Sequence, residues 1–340
     1  MSSLPRLTPR PLASPALLLA FVSAAAFALS GSFAKSLFDV GWSPGAAVAV
    51  RIGGAALVLA VPVVVSLVRN WNAVKSSLPR IAIYGVVPIA LCQLFYFNAV
   101  QYLSVGVALL LEYLSPVLLV AWAWASTRQR PRLPTIIGAI SAMTGLVLVL
   151  DLAGSEQINV VGILWGLAAA VCSAVYFVMS ARANDNVPPL LMAGGGMTVG
   201  AVMIVGLGAT GMLPMAFNFN NPVFAGIEVH WLVPVLGLVL ITTVFAYVVG
   251  IIATRGLGSK VASFVALFEV LFAVLWAWIL LGELPRIIQL LGGLCIMGGV
   301  VLVRLDDLRG YPVRGPGYPV PLDGALPDAG ASLPAKTPQP

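Results

Sequence analysis

The sequence predicts an all-α integral membrane protein with ten transmembrane helices arranged as two inverted five-helix repeats. Three observations lead there. Charged residues make up 9% of the 340 and hydrophobic residues 60%, whereas an ordinary soluble domain carries roughly 25% charge. Apolar stretches of about 20 residues, long enough to cross the hydrocarbon core, follow one another along the chain with mostly short polar joints. The chain also repeats itself: 119–140, "LVAWAWASTRQRPRLPTIIGAI", lies over 273–294, "AVLWAWILLGELPRIIQLLGGL", so that Trp122, Ala123 and Trp124 meet Trp276, Ala277 and Trp278. A weaker match pairs Ser36 with Ser180 and Pro44 with Pro188. Each half then holds five spans, and an odd number turns the second half upside down relative to the first, the arrangement of many secondary transporters.

Taken in order, residues 1–13 form a cytoplasmic N-terminal tail whose Arg6 and Arg10 precede an apolar run longer than the usual 7 to 15 residues of a signal peptide. The first repeat occupies 14–151, with spans at approximately 14–38, 44–68, 81–100, 103–126 and 134–151. A periplasmic linker, 152–159, leads to the second repeat, 160–304, with spans at approximately 160–181, 188–212, 231–253, 259–281 and 286–304. The third span carries Gln93, Phe97 and Gln101 along one face. The fifth and tenth carry Gly138 and Gly145, and Gly292 and Gly299, small faces suited to close helix approach rather than to lining a pore. The seventh opens on Pro188 and Pro189 and holds Gly194, Gly195 and Gly196, which fits either a hinge or tight packing. Only the stretch around Asn218 to His230 makes a sizeable loop, and 305–340, rich in Pro and Gly, is expected to be a disordered cytoplasmic tail.

The net charge of +6 reflects orientation and does not require a nucleic-acid partner. With the N-terminus in the cytoplasm, Arg69, Lys75, Arg80, Arg128, Arg130, Arg132, Arg182, Arg255 and Lys260 all fall in inside loops, and the outside loops hold only Arg286. That bias places both termini in the cytoplasm. Cys92, Cys172 and Cys295 stand singly in apolar helices and His230 is the only histidine, so no metal site, cofactor site or triad is expected. No Walker loop, paired catalytic carboxylates or nucleophile with a base is present, which excludes an ATP-driven pump and an enzyme.

Five polar groups stand out within the spans. Glu112 is the only Asp, Glu, Lys or Arg between Arg80 and Arg128, and it lies roughly 13 Å into the fourth span at 1.5 Å per residue. A charge at that depth is costly unless paired or wet, and a carboxyl there is suited to taking up and releasing a proton; a neutral Glu that staples two helices is the alternative. Glu269 lies at similar depth in the ninth span and aligns with Ser115, one turn from Glu112. Lys35 and Arg51 supply positive charge, although Lys35 can also snorkel outward or pair with Asp39, and Arg51 can serve a structural ion pair. Gln93 joins them as a hydrogen-bonding group.

These residues resemble the EamA-type transporters of the drug/metabolite transporter superfamily, and within them the bacterial threonine and homoserine exporters. The shared features are "AKSLF" at 34–38, Arg51, "YGV" at 84–86, "LFY" at 94–96, Gln101, "VAL" at 107–109 with a Glu before Pro116, and "FEVLFAVLWAWILLGE" at 268–283. The resemblance covers about residues 14 to 304. It implies a bundle with helices five and ten at its periphery, a central midplane cavity near Lys35, Arg51, Gln93, Glu112 and Glu269, and export of small metabolites in exchange for protons across a bacterial inner membrane. Val270 follows Glu269 where the family has a proline, which removes the residue that would break the helix there. The expected partners are therefore a small-molecule substrate, protons and the lipid bilayer, with monomer and homodimer both open. A hydrophobic-cation exporter of the same fold and a membrane scaffold or sensor without transport are the competing readings.

Overall fold

The computed structural model describes residues 14–128, 132–149, 159–181, 187–257 and 265–308. The tail 1–13, nearly all of the linker 152–159 and all but the start of the tail 305–340 lie outside the described residues. Within them the chain is helical apart from one small hairpin.

The first half opens with α1 (Ser14–Asp39), which stops at Gly41, φ 100°. Helix α2 (Pro44–Val58) starts on Ser43, whose hydroxyl accepts the Ala46 N–H at 3.3 Å, with Pro44 in the first turn where no N–H is needed. Helix α3 (Ala60–Arg69) continues it after a 58° bend. Pro62 explains the bend, because it has no N–H for the Val58 carbonyl and its ring crowds that turn. The next span, Lys75–Tyr102, is preceded by the short α4 (Trp71–Val74) and contains α5 (Leu78–Tyr84), a π-helical stretch Gly85–Leu91 around Pro88, and α6 (Cys92–Tyr102). Helix α7 (Val105–Glu112) begins on Ser104 and ends in a turn at Tyr113 and Leu114, after which α8 (Ser115–Thr127) resumes. Pro116 lacks the N–H that would serve the Glu112 carbonyl, so the break falls at the carboxylate-bearing residue. Helix α9 (Leu133–Val149) completes this half.

The second half repeats these irregularities. Helices α10 (Val160–Ala181) and α11 (Pro189–Ala209) lead to strands β1 (Val223–Phe224) and β2 (Ile227–Glu228), paired antiparallel about Ala225 and Gly226, both at positive φ. Helix α12 (Leu232–Leu236), a second π-helical stretch Gly237–Phe245 and α13 (Ala246–Leu257) form one apolar span, Leu232–Ala253. Leu267 then makes a turn before α14 (Phe268–Leu281), so the helix breaks beside Glu269 despite Val270. Helix α15 (Ile287–Leu308) runs a few residues past 305, the expected start of the tail.

Helices α9 and α15 cross antiparallel through the glycines that the repeat singled out. A Cβ on Gly138 would lie 2.6 Å from the Gly299 carbonyl, and one on Gly145 would lie 2.5 Å from that of Gly292; Ser141 donates to the Cys295 carbonyl at 2.9 Å between them. Helix α11 is unbroken, and Gly196 serves packing, since a Cβ there would meet Ile89 at 2.8 Å. Large apolar side chains such as Leu57 and Ile287, 79% and 78% exposed, point outward, as lipid-facing residues do.

One end of the bundle is closed by its loops. Ser43 donates through its hydroxyl to the Pro214 carbonyl at 2.8 Å and through its N–H to that of Ala216 at 3.0 Å. Trp42 donates to the Asn218 carbonyl. The hairpin sits over this end, with Phe224 stacked on Phe33 at 5.2 Å and the Ala225 N–H donating to Leu280 at 2.8 Å.

Candidate functional site

Arg51, in α2, is 2% exposed. Its Nε donates to Thr243 Oγ1 at 3.0 Å, its Nη1 donates to Gln93 Oε1, and its guanidinium carbon lies 5.5 Å from the Phe97 ring centroid. The two π-helical stretches build this arrangement. Thr243 lies within one of them, and its hydroxyl reaches the Leu238 carbonyl five residues back at 2.7 Å, the spacing that the wider π turn brings into register. Gln93 and Phe97 lie one turn apart on α6, just after the other. Among the described residues, no carboxylate lies within ion-pair distance of Arg51, and the groups that accept its hydrogen bonds are neutral.

Glu112 ends α7 and Glu269 stands in the first turn of α14, each beside its helix break. Both are only partly buried. The Cys92 thiol approaches Glu112 Oε1 at 3.4 Å, and Tyr113 Oη lies 3.0 Å from Glu269 Oε2. Cys92 adjoins Gln93 and Tyr113 adjoins Glu112 in the chain, so these contacts link both carboxyls to the Arg51 group. Four of the five expected residues, Arg51, Gln93, Glu112 and Glu269, therefore share one region of the interior.

Lys35 is elsewhere. Its Nζ pairs with Glu283 Oε1 at 2.7 Å, and Glu283 Oε2 accepts the Val105 N–H at 3.1 Å, at the closed end of the bundle. This pair lines a crevice of about 660 Å³ that runs from Ser104 and Arg286 down to Leu110 and Met297 and is not lined by the other four. Lys35 thus takes neither Asp39 nor the interior group as its ion-pair partner.

Sequence reasoning missed Thr243, Tyr113 and the contact of Cys92 with Glu112. Thr242 and Thr243 were a signal, a polar pair in the otherwise apolar "LGLVLITTVF"; Tyr113 stands next to Glu112, but nothing local tells which carboxyl it serves.

An all-helical chain in two related halves, with a buried cation and two carboxyls among its apolar helices, defines a multi-pass membrane transporter. The chain belongs to the EamA-like transporter family, whose pattern matches residues 14–151 and 160–305. It is similar to the "Uncharacterized inner membrane transporter YicL" of Salmonella typhimurium, 23% identical over 72% of this chain and 77% of that protein. It is also similar to the "Uncharacterized transporter YdfC" of Bacillus subtilis, 25% identical over 67% of this chain and 72% of that one. An "Uncharacterized transporter" of Archaeoglobus fulgidus is 25% identical over 69% of this chain and 78% of its own length. A solved crystal structure, 22% identical, covers 85% of this chain and 97% of its own with a TM-score of 0.52, which supports the fold.

Proposed function

We propose that this transporter is a secondary active exporter of amino acids resembling threonine and homoserine, or of related small metabolites, in exchange for protons in a bacterial inner membrane. The observation that carries this reading is Arg51: a buried guanidinium held by two neutral acceptors and an aromatic face, with two carboxyls near but not in contact. Burying a charge without a counter-ion is costly, so the arrangement suits an arriving carboxylate, while a carboxyl opposite suits an ammonium or a proton. A hydrophobic-cation exporter has no use for such an arginine.

Ten spans in two inverted repeats, with both termini inside, complete the reading. Five long apolar helices and the bent α2–α3 pair are long enough to cross a bilayer, and four shorter apolar helices overlap the remaining expected spans, which supports this count. The antiparallel crossing of α9 and α15 and the matched irregularities of the two halves support the inversion, and the partial exposure of Glu112 and Glu269 supports a central cavity between them. Lys35 closes the outer end in this reading.

Counterflow in proteoliposomes tests it. Labelled threonine or homoserine is expected to exchange through the native protein, and Arg51→Gln to raise the half-saturating concentration by about tenfold or more, the loss of one charge-assisted hydrogen bond. Exchange of lipophilic cations instead, unaffected by Arg51→Gln, would replace this reading with the drug-exporter one.

A further inference from the structure

We propose that the crevice between α7, α14 and α15 is a binding site for one anionic phospholipid of the bilayer, with an acyl chain along its apolar length and the phosphate at Arg286. The inference goes beyond the transport reading and does not depend on which solute is moved.

Two helices that follow each other in the chain stand apart here. Helix α14 ends on Gly282, φ 73°, and α15 begins at Ile287, so Glu283 to Arg286 bridge from one to the other. Val274 and Ala277 of α14 and Gly293 and Met297 of α15 line the same open volume of about 660 Å³. Its floor is closed, since Val107 and Leu110 of α7 and Val270 of α14 are buried. Its flank is open: Leu271, Leu290 and Leu294 also line it and are 47%, 46% and 63% exposed. Leucines exposed on apolar helices lie against lipid, so the crevice opens sideways into the bilayer and is filled from there.

The dimensions fit a chain of one leaflet. From Arg286 to Met297 α15 advances 11 residues, about 16 Å at 1.5 Å per residue. The hydrocarbon core is about 30 Å thick, so a crevice of this length that starts at the polar boundary ends near the midplane.

The two ends of the crevice differ as the two ends of a lipid do. Leu110, Leu294 and Met297 make the deep end apolar, whereas the mouth gathers Ser104, Asn159 and Gln289 with three charged side chains, Lys35, Glu283 and Arg286. Lys35 and Glu283 pair at 2.7 Å. The charges of the lining therefore sum to one positive, that of Arg286, whose residue is exposed. A guanidinium matches a phosphate in both charge and shape, and a basic pocket between membrane helices suits an anionic headgroup. A zwitterionic headgroup would add its own cation to a mouth that already has a surplus.

Photocrosslinking of the full-length protein in phosphatidylcholine vesicles tests this, with a trace of phosphatidylglycerol that carries a diazirine in the middle of one acyl chain. Mass spectrometry of the digested protein is expected to find adducts on Leu110, Leu294 or Met297 several-fold denser than on Val202, an exposed residue of α11. Gly293→Trp is expected to remove the crevice adducts and keep those on Val202. A Cβ on Gly293 would meet Leu110 at 3.6 Å, an ordinary contact, so the ring can occupy the crevice without moving the helix, and unchanged labelling of Val202 reports an intact fold. The same diazirine on phosphatidylcholine is expected to label the crevice several-fold less, and Arg286→Gln, at an exposed side chain, to erase the difference between the two lipids. Equal adduct density in the crevice and on Val202, or crevice adducts that survive Gly293→Trp, would overturn the site. Equal labelling of the native crevice by both lipids would overturn the assignment of the headgroup. The readout needs no solute, so a failure of the transport reading in the counterflow assay is distinguishable from a failure here.

Discussion

Arg51 is held in place by Thr243 and Gln93, and each contact leaves a measurable trace. Thr243→Val keeps the shape of the side chain but removes the acceptor of the Arg51 Nε–H. Leaving that buried donor unserved is expected to cost about 1–3 kcal/mol, read as a lower unfolding midpoint of the purified protein. A midpoint within error of the native value would mean that water or another oxygen replaces the hydroxyl. Arg51, Gln93, Glu112 and Glu269 were legible in the sequence because a charge or amide deep in an apolar span stands out against its surroundings. Thr243 and Tyr113 were not, because hydroxyls are common in membrane helices and only the folded geometry shows which one meets a charged group. Lys35 shows the reverse limit: its charge was conspicuous, but its partner lies more than 240 residues along the chain at Glu283, where no local spacing points.

The helices themselves were largely legible, and their interruptions only in part. Hydropathy found the spans, and Pro62 and Pro116 mark the breaks after α2 and α7. Pro88 likewise marks the π-helical stretch Gly85–Leu91, whereas Gly237–Phe245 holds no proline and the turn at Leu267 forms without one. Glycine faces were legible as small faces but not as to partner, which α9 and α15 resolve by packing on each other. They also give a paired prediction within α15. A Cβ on Gly299 would lie 2.4 Å from the Gly138 carbonyl, whereas one on Gly298 would meet nothing within 4 Å. Gly299→Ala is therefore expected to destabilise by about 1–3 kcal/mol through forced separation of the helices. Gly298→Ala is expected to be neutral or to stabilise by up to about 1 kcal/mol, the helix-propensity gain of Ala over Gly. Equal midpoints for the two variants would show that α9 and α15 are not clamped at this crossing.

At the scale of the whole molecule, Lys35, Glu283 and the hairpin tie one end together, and in the proposed exporter this end is the closed side of an alternating-access state. Glu283→Lys is expected to loosen that end, so that a reporter Val107→Cys in the crevice reacts faster with a membrane-impermeant thiol reagent. The charge-swapped pair, Lys35→Glu with Glu283→Lys, is expected to restore slow labelling; fast labelling in both would assign the closure to the hairpin alone. The central claim is that proton movement drives the solute outward. Each charge that crosses the membrane supplies about 2.3 kcal/mol per 100 mV, enough to move a neutral zwitterion uphill without ATP. The most direct test is to load proteoliposomes with labelled threonine and homoserine, impose an inward proton gradient, and record solute and internal pH together. The account predicts solute efflux that speeds up with the gradient and is matched by proton entry. Efflux at the same rate with and without the gradient, or with no accompanying pH change, would contradict it.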